Sequence, residues 1–372
     1  MTNFSISLRN KSGAKFLPLF LALASFVFFV YLLSSWQLQA EQSAAPAVVP
    51  AASPFVDVHT HIDDQDPDGS AQAAFQALRR ENAAKIFLLT EPFPPKNPKR
   101  YEADVILPAA KKFPGKLPVL GGGSILNGMI MDSVGTGDAG AEVKRKFRKA
   151  AEDLLRDGVV GFGEVTAEHL GLPSSPVQEH EYAPPNHPLF LLLADIAAEH
   201  NVPIDLHMEA VPQSMPLPAG LPPSNPPQLQ ANIADFERLL AHNSRAKIIW
   251  AHAGADFTGF RTPDLCRRLL QAHPNLYMEI KADPLSPGKN PIAAADGKIK
   301  PEWLKLFRDF PDRFVIGTDQ HYGPKPSTGQ PRWEAVVLIF NQLPADLRRK
   351  IGMENAAHLF AGAPAVTSSA RP

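Results

Sequence analysis

Cysteine is almost missing from this chain: Cys266 is the only one in 372 residues. A single thiol excludes an internal disulfide framework and any zinc site built on cysteine. It says little about compartment, because a domain of this size needs no covalent staple. A surplus of charge is missing too, at a formal net charge of -1. Nothing global therefore recruits nucleic acid, and no such partner is expected. The run Gly121-Gly122-Gly123 has no G-K-[ST] after it, so it is no phosphate loop; it reads as a flexible turn. No internal repeat stands out beyond an alternation of short apolar runs with amphipathic segments.

Proline, by contrast, is abundant. The 38 prolines are about twice the usual share and cluster between apolar segments, which predicts long, stiff loops. The first fifteen residues carry Arg9, Lys11 and Lys15 and no acidic group, and Phe16 to Leu33 is then an uncharged stretch of 18 residues. Basic residues before an apolar stretch stay in the cytoplasm and send the following chain outward. Two readings stay open: a signal peptide cut after Ala40, or a retained membrane anchor near the lower length limit for spanning. Both put the folded part outside the cytoplasm, periplasmic or held at the inner membrane. The expected organisation is residues 1–40 as signal or anchor, 41–54 as an Ala/Pro-rich linker, 55–362 as one domain and 363–372 as a flexible tail.

From Phe55 onward eight β-rich runs recur: 55–58, 85–89, 117–120, 159–165, 202–206, 247–251, 276–280 and 314–317. They are nearly unbroken in hydrophobicity, as parallel strands buried on both faces are. Helix-like stretches lie between them at 70–81, 142–156, 188–200, 229–242, 263–272, 301–308 and 333–341. The order predicts an α/β fold of the TIM (β/α)8 barrel type. Connections into strands are short, whereas those at 166–187, 209–228, 281–300 and 320–332 are long. In such a barrel, loops leaving the carboxyl ends of strands build the active site. The 209–228 loop holds seven prolines and reads as a wall or partial lid.

The first run, Phe55-Val56-Asp57-Val58-His59-Thr60-His61, ends in two histidines one residue apart. On a strand, side chains at i and i+2 share a face. Regular alternation therefore pairs the imidazoles of His59 and His61 and puts Asp57 on the same face, one step deeper, in a supporting role. Further ionisable groups sit near the carboxyl ends of later runs: Glu164, His207, His252 and Asp319. Each alone has an ordinary explanation, such as a satisfied polar side chain, a barrel salt bridge or a turn cap. Together, six groups from five strands meet at one barrel mouth. His, Glu and Asp without Cys suit a divalent ion, zinc first, with manganese or iron as alternatives.

This order of H-x-H, Glu, His, His and Asp resembles the amidohydrolase superfamily of metal-dependent hydrolases. The pair Gly163-Glu164 looks like the TatD-type branch. The carboxylated-lysine branch needs a lysine there, and none occurs from Val159 to Val165. The segment Glu354-Asn355-Ala356-Ala357-His358-Leu359-Phe360 is similar to the N-A-x-x-L-F helix that ends many amidohydrolase-related domains. The resemblance implies that His59, His61 and Asp319 hold one ion and that Glu164 bridges to a second held by His207 and His252. A one-ion site would use His59, His61, His207 and Asp319 and leave His252 for substrate or water. The implied reaction is attack of metal-activated water on an amide, ester or phosphoester bond of a small substrate, with Asp319 taking a proton and His252 as a second catalytic candidate. A zinc-dependent nonoxidative decarboxylase and an inactive ligand-binding barrel are the alternatives. Arg261, Lys281 and His321 are further candidates for holding an anionic substrate.

Overall fold

Eight short runs rich in Val, Ile, Leu and Phe form the parallel strands of one closed sheet. They are β1 (Phe55–Ile62), β2 (Ala83–Leu89), β3 (Val119–Gly122), β4 (Phe162–His169), β5 (Pro203–Met208), β6 (Lys247–Ala253), β7 (Leu276–Ile280) and β8 (Phe314–Ile316). Each pairs in parallel with the next in this sequence, and β8 returns to β1 through Asp57 opposite Ile316. The computed structural model describes residues 50–93, 96–97, 100–172, 179–282, 288–323 and 332–362. The apolar segment 16–33 and the tail lie outside these residues. Among the described residues, no helix is long and apolar enough to cross a membrane.

Helices surround the barrel. The sequence signals for Pro67–Glu81, Ala141–Asp157, Pro188–His200, Ile233–His242, Pro263–Ala272, Pro301–Asp309 and Arg332–Gln342 correspond to helices. Proline near the start of four of them leaves no lost hydrogen bond, because a first-turn N–H has no intrahelical partner. Two more helices, Ala103–Ala110 and Ile125–Thr136, precede and follow β3. Pro108 sits inside the first, and the second carries Gly128 and Gly135, so neither has a clear helical signature.

Two apolar layers result. The outer one packs strand residues such as Ile86, Ile204, Trp250 and Phe314 against helix residues such as Phe236, Trp303 and Phe307. The inner one fills the amino-terminal half of the barrel with Val56, Val58, Phe87, Leu89, Leu120, Val160, Ile249, Tyr277 and Val315. Ala356 and Leu359 of the last helix, Asn355–Leu359, join that inner layer and close the barrel floor. Asn355 Nδ2 donates to the carbonyls of Pro311 at 2.8 Å and Phe314 at 2.7 Å, and the Phe360 ring lies 4.3 Å from that of Phe87. The N-A-x-x-L-F signature is thus a plug, anchored by its Asn and filled by its apolar positions.

The proline-rich 209–228 segment forms a small hairpin, Met215–Pro216 against Gln228–Leu229. Asn225 exchanges hydrogen bonds with Gly171 at 2.8 and 3.0 Å, which ties this hairpin to the loop after β4. Gly121 and Gly122 are the last residues of β3, and Gly123 N donates to Thr90 Oγ1 at 2.8 Å. The flexible turn expected there is instead a strand end, and its glycines admit close neighbours: a Cβ on Gly121 would sit 2.9 Å from Val159.

Candidate metal centre

Regular alternation does not hold where the site forms. Asp57 pairs with Ile86 and Thr60 with Leu88, so β1 spends three steps where β2 spends two. One extra residue of this kind is a β-bulge, which re-aims the side chains beyond it. Asp57 is level with Ile86 and Ile316, which pack outward against the helices, so it does not share the face of the two histidines. The expected placement of Asp57 beneath them is corrected by this bulge. The same three-against-two count recurs in β4, between Phe162 and Val165, and in β6, between Trp250 and Ala253. Glu164 and His252 lie inside those intervals. His252 has φ 69° and Asp319, just past β8, has φ 53°. Both are left-handed conformations that a side chain rarely adopts outside a site that enforces them.

The six groups are brought together in two triads. In the first, His59 Nε2 and His61 Nε2 are 3.1 Å apart, and Asp319 Oδ1 is 3.3 Å from His61 Nε2 and 3.8 Å from His59 Nε2. In the second, Glu164 Oε1 is 2.6 Å from His207 Nδ1 and 3.1 Å from His252 Nε2. The other oxygen of Glu164 turns to the first triad, 3.3 Å from His61 Nε2 and 3.5 Å from His59 Nε2. Within each triad the ligand atoms lie within 4.8 Å of one another.

The donor chemistry fits a divalent cation. His61 Nδ1 faces the Leu89 carbonyl at 3.2 Å, and His59 Nδ1 faces Asp205 at 3.2 Å and Glu279 at 3.1 Å. These acceptors place the ring proton on Nδ1 in both histidines. Neutral rings then leave two Nε2 lone pairs 3.1 Å apart, surrounded by carboxylate oxygens. Such a cluster of lone pairs calls for positive charge at its centre. Nitrogen and oxygen donors without sulfur suit zinc, manganese or iron. Protonation responds to the same demand: burial works against a charged His61, but Asp319 and Glu164 push it up to about 10. Burial also opposes ionisation of Glu164, yet His59, His207 and His252 hold its carboxyl well below the usual range.

Several neighbours escaped the sequence reading. Asp205 and Glu279 are buried acids two positions before His207 and Lys281. A charged residue inside an otherwise apolar strand, in step with a strand-end candidate, was the available signal, since burying a charge needs a partner. Lys281 Nζ and Arg332 Nη1 each stand 2.5 Å from Asp319 Oδ2. Lys281 is therefore engaged by the site's own carboxylate. Arg261 is not at the mouth: it is buried, donates to the carbonyls of Trp250 and Ala251, and stacks 4.0 Å over the Trp250 ring. His321 does lie at the mouth, with its ring 5.8 Å from that of His61 and Nε2 3.2 Å from Glu91. Asp57 instead accepts from Thr318 N at 3.0 Å, Thr318 Oγ1 at 2.6 Å and His59 N at 3.3 Å, across the seam that closes the barrel.

A family model described as amidohydrolase matches residues 136–362, more than half of the chain. That span holds Glu164, His207, His252 and Asp319, and His59 and His61 precede it. No curated protein matches the chain. Among solved structures, a uronate isomerase from Bacillus halodurans is 10% identical with a TM-score of 0.45, over 78% of this chain and 68% of its own. A 2,6-dihydroxybenzoate decarboxylase from Rhizobium is 11% identical with a TM-score of 0.37, over 84% and 99%. An amidohydrolase 2 from Bifidobacterium longum subsp. infantis is 12% identical with a TM-score of 0.32, over 83% and 99%. These likenesses are too distant to bear on the reaction.

Proposed function

Because this chain belongs to the amidohydrolase family, we propose that it is a metal-dependent hydrolase that holds two divalent ions, zinc by first choice, and cleaves an amide, ester or phosphoester bond of a small substrate. The supporting observation is the split of Glu164: one oxygen faces His207 and His252, the other faces His59 and His61. A carboxylate so divided suits a bridge between two ions. His59, His61 and Asp319 would hold one, and His207 and His252 the other. When bound, such ions supply Lewis acidity, which lowers the pKa of water to about 7 and polarises a substrate carbonyl or phosphoryl oxygen.

The protein's own groups supply orientation and proton handling. Asp319 Oδ2 is clamped by Lys281 and Arg332, which fixes Oδ1 toward His61. From there Oδ1 accepts the proton of an attacking water and returns it to the leaving group. Burial, helped by Lys281, lowers the pKa of His252, so its ring works as a neutral ligand or substrate contact. The basic, apolar amino terminus would direct the domain out of the cytoplasm.

Metal analysis followed by a substrate panel tests the reading. The purified chain should carry two ions, and Glu164→Gln should lose at least one. Asp319→Asn should remove most turnover, by about 100-fold or more. A wild-type chain with one ion, retained in Glu164→Gln, would refute the two-ion centre. Release of carbon dioxide from aromatic acids, with no hydrolysis of any ester, amide or phosphoester, would replace hydrolysis by decarboxylation.

A further inference from the structure

We propose that Glu279 is a positioning residue that aligns both halves of the centre at once, an inference that rests on the two-ion reading above. Glu279 lies on β7, is fully buried, and shares the inward side of the strand with Tyr277. Its Oε1 is 3.1 Å from His59 Nδ1 and 2.9 Å from His252 Nδ1, and it accepts from His252 N at 3.1 Å. One oxygen thus faces a ring from each triad. The two rings meet edge to face above it, with centroids 4.7 Å apart.

The chemistry follows from what a ligating imidazole needs. Holding the proton on Nδ1 frees the Nε2 lone pair for the ion and fixes the ring plane, and such supporting contacts raise metal affinity. His252 Nδ1 has no partner at good hydrogen-bond angle among the described residues, so Oε1 is the acceptor that a small ring rotation would engage. Glu279 Oε2 has no hydrogen-bond partner there either, which concentrates the residue's contacts in Oε1. Gly317 leaves room for it: a Cβ at that glycine would come within 2.9 Å of Glu279 Cβ and 2.5 Å of Cδ. Asp205 makes a useful contrast. It approaches His59 Nδ1 at 3.2 and 3.3 Å and serves no ring of the second triad.

The test is zinc affinity, measured on the full chain by stripping metal and titrating zinc against a chelator, with thermal melting of the metal-free protein as a control of folding. Glu279→Gln, which keeps the volume, should weaken both zinc equivalents by about tenfold, and Glu279→Leu by about 100-fold. Asp205→Asn should weaken one equivalent by about tenfold and spare the other. Wild-type affinity for either equivalent in Glu279→Gln would overturn the inference while leaving the two-ion centre intact. A wild-type chain that takes up fewer than two equivalents would overturn the two-ion reading itself. A loss of affinity matched by an equal loss in Asp205→Asn at both equivalents would also overturn the assignment, because the effect would then be general rather than Glu279's own.

Discussion

Replacing Asp57 tests how the barrel is closed beside the centre. The Asp57→Ala change removes the acceptor for Thr318 N at 3.0 Å, Thr318 Oγ1 at 2.6 Å and His59 N at 3.3 Å. Asp57, Thr318 and His59 are all fully buried, so water does not readily replace the lost oxygen. An orphaned buried donor costs roughly 1–3 kcal/mol. The Thr318 hydroxyl can turn toward another acceptor and counts at the low end, and the His59 bond is long and counts little. The Thr318 N–H is fixed and counts in full. The sum is about 3–4 kcal/mol, a large share of the roughly 5–15 kcal/mol that holds a domain folded. Asp57→Asn keeps one acceptor oxygen and should lose about 1–2 kcal/mol. Guanidinium unfolding of the metal-free protein reads this directly, as a lower midpoint with unchanged slope. A loss below about 1 kcal/mol for Asp57→Ala would refute the idea that this carboxyl ties β1 to the chain after β8.

Two further outcomes follow from burial. Glu81 ends the helix before β2 and accepts from Tyr322 Oη at 3.1 Å and Arg80 Nη2 at 2.7 Å. Burial pushes its pKa up to about 8, against the pull of Arg80. A raised acid binds its proton more tightly in the folded chain, so this stabilisation is complete below pH 4.5 and is lost as pH rises through 8. Glu81→Gln should flatten the decline of unfolding free energy between pH 5 and pH 8; an unchanged decline would assign it to other groups. Burial also pushes the Cys266 thiol up to about 11, with Arg261 opposing. The native protein should resist thiol reagents at pH 8 and react only as fast as it unfolds, and immediate labelling would show the thiol to be accessible.

The parts legible in the sequence share one physical trait. Strands buried on both faces read as unbroken apolar runs, and all eight runs became barrel strands. The six candidate ligands lie near the ends of those runs or just past them, and the fold brings their side chains together. What stayed hidden depends on partners distant in the chain. The face of Asp57 turns on one extra residue in β1 relative to β2, which no composition records. Of the candidates for an anionic substrate, Arg261 instead stacks on Trp250 and Lys281 pairs with Asp319. The helices at Ala103–Ala110 and Ile125–Thr136 carry Pro108, Gly128 and Gly135, which weaken the local signal that packing then overrides.

The bulges also explain why two strand-borne histidines can converge. Along a regular strand, residues i and i+2 stand roughly 7 Å apart with parallel side chains. His59 Nε2 and His61 Nε2 are 3.1 Å apart, so their rings must lean together. The extra residue between Asp57 and Thr60 supplies that lean, and the matching irregularities in β4 and β6 deliver Glu164 and His252 to the same point. The left-handed backbones of His252 and Asp319 each cost about 1–3 kcal/mol unless their surroundings hold them. The holding bonds come from the centre itself: Asp319 N donates to His59 O at 2.8 Å, and His252 N donates to Glu279 Oε1 at 3.1 Å. Each strained residue is thus pinned by another member of the site or by the carboxylate beneath it. The ligand geometry is set by contacts among β1, β7 and the turn after β8, more than by any one strand.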